Sequence, residues 1–79
     1  MLSEAIQKRI IGLCDERSIT INKLSTICGV TQSTIDYIIK KNDSKTSVST
    51  VKKICDGLDI TLAEFFDTAE FNSLEQEIK

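Results

Sequence analysis

The sequence predicts an all-α fold of five short helices, and three observations predict it. The 79 residues contain no proline and only three glycines, so the turns that sheets and barrels need are scarce. Apolar residues recur at three- and four-residue spacing, as in Ile6, Ile10, Leu13 and Cys14, which is the buried stripe of a helix. A serine or threonine precedes each stripe: Ser3, Thr20, Thr31, Ser47 and Thr61. Their hydroxyls can accept from the unpaired N–H groups at a helix start.

The first helix is expected from Ser3, as its cap, to about Arg17, with Glu4 where the helix dipole favours a carboxylate. Lys8, Arg9, Asp15 and Glu16 lie mostly off its stripe. Gly12 inside it costs up to about 1 kcal/mol against alanine, which close packing on a neighbour would explain. Ile19 plugs the core. Thr20 then caps a second helix, Ile21 to Cys28, with Leu24 and Cys28 inward and small Ser25 where the next helix crosses closest. Gly29 leaves that helix at positive φ, which glycine adopts without a Cβ penalty, and Val30 packs beneath the turn.

Thr31 caps a third helix that runs to about Lys40. Ile35 and Ile38 face the core. Gln32, Ser33, Asp36 and Tyr37 are left outside, with Thr34 at the edge. Residues 41–46 form a polar loop. Ser47 caps a fourth helix with the stripe Val48, Val51, Ile54, Cys55 and Leu58, and Gly57 and Asp59 mark its end. Thr61 caps a short fifth helix, with Leu62, Phe65 and Phe66 inward and Glu64 out. Phe71, Leu74 and Ile78, at i, i+3 and i+7, permit one more short amphipathic helix. Residues 1–67 read as one domain and 68–79 as its tail, with no internal repeat and no low-complexity segment.

An apolar fraction of 41% supports a compact core, but a core this small is marginal alone, so a partner subunit is compatible with it. No apolar run approaches a membrane span, and the N-terminal residues mix acid and base without an apolar signal segment, so a cytoplasmic location is expected. Cys14, Cys28 and Cys55 are not at metal spacing and no histidine accompanies them, so they read as reduced core side chains. No metal, cofactor or enzymatic activity is expected, because no phosphate-binding glycine loop and no nucleophile–base pair is present.

Net charge is −2, which alone disfavours a nucleic-acid partner, but the charges are segregated. Residues 40–53 hold five lysines (Lys40, Lys41, Lys45, Lys52 and Lys53) against Asp43 alone. Residues 64–79 hold five acids against Lys79. The basic block directly follows the third helix.

Two stretches, KLSTICGVTQSTIDYI and SVSTVKKICDGLDITLAEFF, resemble the phage-repressor helix-turn-helix family (Cro-like, or XRE). The resemblance spans about Ile6 to Asp67. It implies a compact, lambda-repressor-like domain of five helices whose third helix enters the major groove of double-stranded DNA. Matched residue by residue, it implies base reading by Gln32, Ser33 and Tyr37. It implies capping or phosphate contact by Thr31 and Thr34, and a backbone-tracking loop of Lys40, Lys41, Asn42, Lys45 and Thr46. Three positions depart from the family. Ile21 stands where a phosphate-binding glutamine is usual. Cys14 and Ile39 replace a buried arginine–glutamate pair, an exchange that costs little when both partners go together. Asp36 replaces a basic residue; it repels phosphate but can accept from cytosine N4.

Gln32 suits adenine, whose N6 and N7 its amide can pair together. The alternative is a solvated helix former. Tyr37 can contact a thymine methyl or a phosphate, or simply cover the core. The lysines supply phosphate affinity or form a solvated basic face. One reading helix covers too few base pairs to select a genomic site, so a homodimer is expected, through the fifth helix and Phe71, Leu74 and Ile78. A transcription regulator, and a repressor in particular, is the leading expectation. The acidic tail and the surplus isoleucines Ile21, Ile27 and Ile39 also permit a protein partner, as in the antitoxin half of a toxin–antitoxin pair. No small-molecule pocket is expected.

Overall fold

The computed structural model describes residues 2–40, 46–76 and 78. Among these there are six helices: α1 (Leu2–Glu16), α2 (Ile21–Cys28), α3 (Gln32–Lys40), α4 (Val48–Leu58), α5 (Leu62–Phe66) and α6 (Ala69–Asn72). The predicted all-α fold is what forms. Each of α1 to α5 sends at least one side chain into a single core, including Ile10, Leu24, Ile35, Ile54, Cys55 and Phe65, all fully buried. Among the described residues, no helix is long and apolar enough to cross a membrane.

Three of the connections use one device. Ser18, Gly29 and Asp59 each sit in the left-handed region, at φ 54°, 67° and 58°. The next residue, Ile19, Val30 or Ile60, donates its N–H five residues back, to the carbonyls of Cys14, Ser25 and Cys55 at 3.0, 3.2 and 3.0 Å. This is the Schellman ending, which pairs carbonyls that the helix cannot. The same three apolar side chains fold back onto the core. The residue after each is a threonine that caps the next helix, Thr20 on Lys23 N–H and Thr61 on Glu64 N–H at 3.0 Å, and Thr31 on Thr34 N–H at 3.3 Å. Ser-Ile-Thr, Gly-Val-Thr and Asp-Ile-Thr are thus one stop-and-restart turn in three spellings.

Several expectations are corrected. α1 begins at Leu2, so Ser3 lies inside the first turn and is not its cap. No atom outside α1 and Gly12's chain neighbours stands within 4 Å of where a Gly12 Cβ would be, so close packing does not explain this glycine. Val48 is 70% exposed and does not belong to the α4 stripe; at the first helical position it points away from the core. Gly57 does not mark the end of α4, which is capped by Asp59. A Cβ at Gly57 would stand 2.5 Å from Cys28 Sγ and 2.9 Å from Cys28 Cα, so this glycine lets α2 and α4 touch.

The tail is also shorter than its periodicity suggests. α6 ends at Asn72, and Ile78 is 89% exposed. Phe71 packs edge-on against Phe66, ring centres 4.9 Å apart, and lies 6.1 Å from Phe65. This aromatic cluster draws α6 onto the domain, because three rings bury a large apolar area in a favoured edge-to-face geometry. Arg9, expected off the stripe, reaches over to α5. Its Nε donates to the Phe65 carbonyl at 2.8 Å and its Nη2 to the Glu64 carbonyl at 2.9 Å. It satisfies the end of a helix too short to end well by itself, and its guanidinium lies 5.9 Å from the centre of the Phe65 ring.

Candidate nucleic-acid interface

The interface is built on the turn between α2 and α3. Gly29 N–H donates to the Ser25 carbonyl in the left-handed ending, which sharply redirects the chain. Val30 is buried beneath the turn, and Ser25, also buried, donates its hydroxyl to the Asn22 carbonyl at 2.8 Å. A small side chain with its own internal partner leaves room for the neighbouring helix. α3 is then pinned by Ile35 and Ile38, both buried, so the face opposite them must point to solvent.

That face carries the residues singled out from the sequence. Gln32, Ser33 and Thr34 are exposed, Asp36 is partly covered, and Tyr37 is 52% exposed. Half of the Tyr37 surface is thus offered outward and half is covered. Lys40 is exposed at the last turn, where a cation suits the helix dipole. Thr31 and Thr34 are joined hydroxyl to hydroxyl at 2.9 Å, and Thr31 also accepts from Thr34 N–H. Thr31 is therefore held at the N-terminus of α3, beside the first backbone N–H groups, for which a helix supplies no carbonyl of its own. Such a helix start favours an anion.

Lys41, Asn42 and Lys45 fall outside the described residues. Beyond them, the Thr46 hydroxyl oxygen is shielded from solvent and has no hydrogen-bond partner among the described residues. Ser47 then caps α4, accepting from Thr50 N–H at 3.1 Å. Lys52 and Lys53 are exposed, but Lys52 is paired with Asp56 one turn on. That i,i+4 pairing was legible in the sequence, and it removes one lysine from the free positive charge of the block.

At the departures from the family pattern, Cys14 is buried, and Ile21 and Ile39 are partly buried against the core. Ile27 is 40% exposed and remains a surface side chain. Cys14, Cys28 and Cys55 are free thiols inside the core. Burial pushes Cys28 up to about 11, with the neighbouring thiols Cys14 and Cys55 adding to the rise. Among the described residues, no group of histidines, cysteines and carboxylates could hold a metal ion.

Comparison with known proteins agrees with this geometry. The family model of the Cro/C1-type HTH DNA-binding domain matches residues 9–70, from Arg9 in α1 to Glu70, the second residue of α6. The chain is similar to a solved crystal structure of the prophage Lp1 protein 11, with a TM-score of 0.82 and 26% identity over 94% of this chain and 97% of that one. No curated protein matches the chain.

Proposed function

The chain belongs to the Cro/C1-type helix-turn-helix DNA-binding family, and from that premise we propose that it is a sequence-specific transcription repressor acting as a homodimer. The observation that carries the reading is the outer face of α3. It is polar, exposed and held rigidly by a left-handed turn below it and a buried isoleucine pair behind it. A rigid helix with short polar side chains near its start suits the major groove, where base edges present a distinct donor and acceptor pattern.

In this reading Gln32 pairs with adenine, Ser33 and Tyr37 make further base contacts, and Asp36 selects a cytosine N4 donor. Thr31, Thr34 and Lys40 grip phosphates, joined by Lys41, Asn42 and Lys45 from the following loop. Thr46 contributes only after its hydroxyl turns outward. Two copies would place their α3 helices about one helical turn of DNA apart, near 34 Å. The dimer surface draws on α5 and the tail. Phe71 is already engaged with Phe65 and Phe66, so it shapes that surface from beneath, and Leu74 and Ile78 carry the contact. A chain of this kind acts where the DNA is, in the cytoplasm of the cell that holds it.

Selection of binding sites from random duplexes, followed by binding across a salt series, tests the reading. An enriched two-fold symmetric sequence is expected. Log affinity should fall against log salt with a slope of about 0.9 per neutralised phosphate. Gln32→Ala should relax preference at one position of each half-site, at a cost of about 1–3 kcal/mol on the preferred base. Lys40→Ala should weaken all sequences alike and lower the slope by about one unit. No enriched sequence together with a flat salt response would sink the reading.

A further inference from the structure

Away from the α3 face, an open cleft of about 160 Å³ lies between α1 and the start of α6, lined by Ala5, Lys8, Arg9, Gly12, Thr68 and Glu70. Its floor is formed by the two smallest side chains of α1, Ala5 and Gly12, two turns apart on one face. Glycine inside a helix is destabilising, and no neighbour of Gly12 requires it sterically. Gly12 lines the cleft, and a Cβ there would stand in open space.

The walls carry two cations of different character. Arg9 is preorganised: two backbone carbonyls of α5 hold its guanidinium against the Phe65 ring. Lys8 stands at the rim, 3.7 Å from a carboxylate oxygen of Glu70, with both side chains largely exposed. The cleft therefore already accommodates an anionic oxygen at Lys8, in a solvent-screened pair of the kind that exchanges easily. Ordinary ligand pockets begin near 300 Å³, so this one fits only a few heavy atoms.

We propose that the α1–α6 cleft is a binding site for a small oxyanion, a carboxylate or a phosphate, which takes the place of the Glu70 carboxylate on Lys8 and lies over Gly12 beside Arg9. Displacing Glu70 removes one tether of α6, so occupancy is coupled to how α6 sits on α1. The site does not depend on the DNA reading, since it shares no residue with the α3 face.

The test is a residue-resolved NMR titration of the whole chain with inorganic phosphate and, separately, acetate, at constant ionic strength. Saturable shifts are expected at the amides around Ala5, Lys8, Arg9, Gly12, Thr68 and Glu70, and the stronger titrant identifies the anion class. Lys8→Gln should weaken binding several-fold. Gly12→Ala should make the free protein more heat-stable and weaken the anion, because its methyl enters the cleft. Three results overturn the proposal: linear shifts that never saturate, shifts confined to the N-termini of α2 and α3, or a Gly12→Ala protein that binds as well as the parent.

Discussion

Glycine and cysteine meet at one point of this protein, and the contact shows how much a single missing Cβ can decide. Gly57 lies against Cys28, and any larger residue would press on the Cys28 backbone as well as its sulfur. Backbone cannot swing aside as a flexible side chain can. Gly57→Ala should therefore destabilise by about 1–3 kcal/mol, read as a lower urea midpoint with an unchanged slope. Cys28 makes a second prediction. Its thiol ionises near 8.5 when unfolded but only at about 11 when folded, because burial disfavours the thiolate. The stability from this difference is complete below the unfolded value and is lost as pH rises through the folded one. Urea midpoints should hold from neutral pH to about pH 8 and fall toward pH 11, and Cys28→Ala should make that decline shallower.

At the scale of elements, the ends matter more than the middles. α5 has five residues and would not persist alone, since a helix that short never recovers its nucleation cost. It is closed at its start by a capping box, in which Thr61 accepts from Glu64 N–H and Glu64 accepts from Thr61 N–H, both at 3.0 Å. It is closed at its end by Arg9 from a helix more than fifty residues away in sequence. Arg9→Met keeps the aliphatic packing but removes both hydrogen bonds. A loss of about 1–2 kcal/mol is expected by chemical denaturation, with the Glu64 and Phe65 signals shifting most in NMR. The capping bond also holds the Glu64 carboxyl below the usual glutamate range. A depressed carboxylate stabilises above its unfolded pKa, and the benefit is lost as pH falls through the folded one. Glu64→Gln should accordingly flatten the acid side of the stability profile below about pH 4.3, the ordinary glutamate value.

For the whole molecule, a core this small is marginal alone, which favours the proposed homodimer. Light scattering at micromolar concentration should give twice the chain mass, and Leu74→Asp with Ile78→Asp should return it to one. A clean monomer in the parent chain would remove the homodimer from the proposed function and leave the α3 face untouched. The segregation of charge acts at this scale too. The basic block sits at the exit of α3 and the acidic residues gather from α5 onward, so the molecule presents opposite signs in different parts of its chain.

Local chemistry was legible in advance. Stripes at helical spacing located α1 to α5, threonines located three of the helix starts, and Gly29 located the turn that aims α3, because each rests on neighbours within one or two turns. The outer face of α3 followed from the same arithmetic, since burying Ile35 and Ile38 leaves Gln32, Ser33 and Tyr37 outside. What sequence periodicity did not reveal depends on contacts between distant segments. Ser18 and Asp59 adopt the left-handed turn without being glycine, because the core holds Ile19 and Ile60 in place and offsets a local strain of about 1 kcal/mol. Arg9 belongs to α5 only once α1 and α5 are packed together. Gly57 has its purpose only where α4 crosses Cys28, and Gly12 lines a cleft only because α6 folds back across α1. The sequence by itself determined the order of the first five helices, the threonine starts of α2, α3 and α5, and the turn at Gly29. The tertiary structure alone decided which of the remaining small and charged residues would meet, because that depends on how separate helices pack and not on spacing along any one of them.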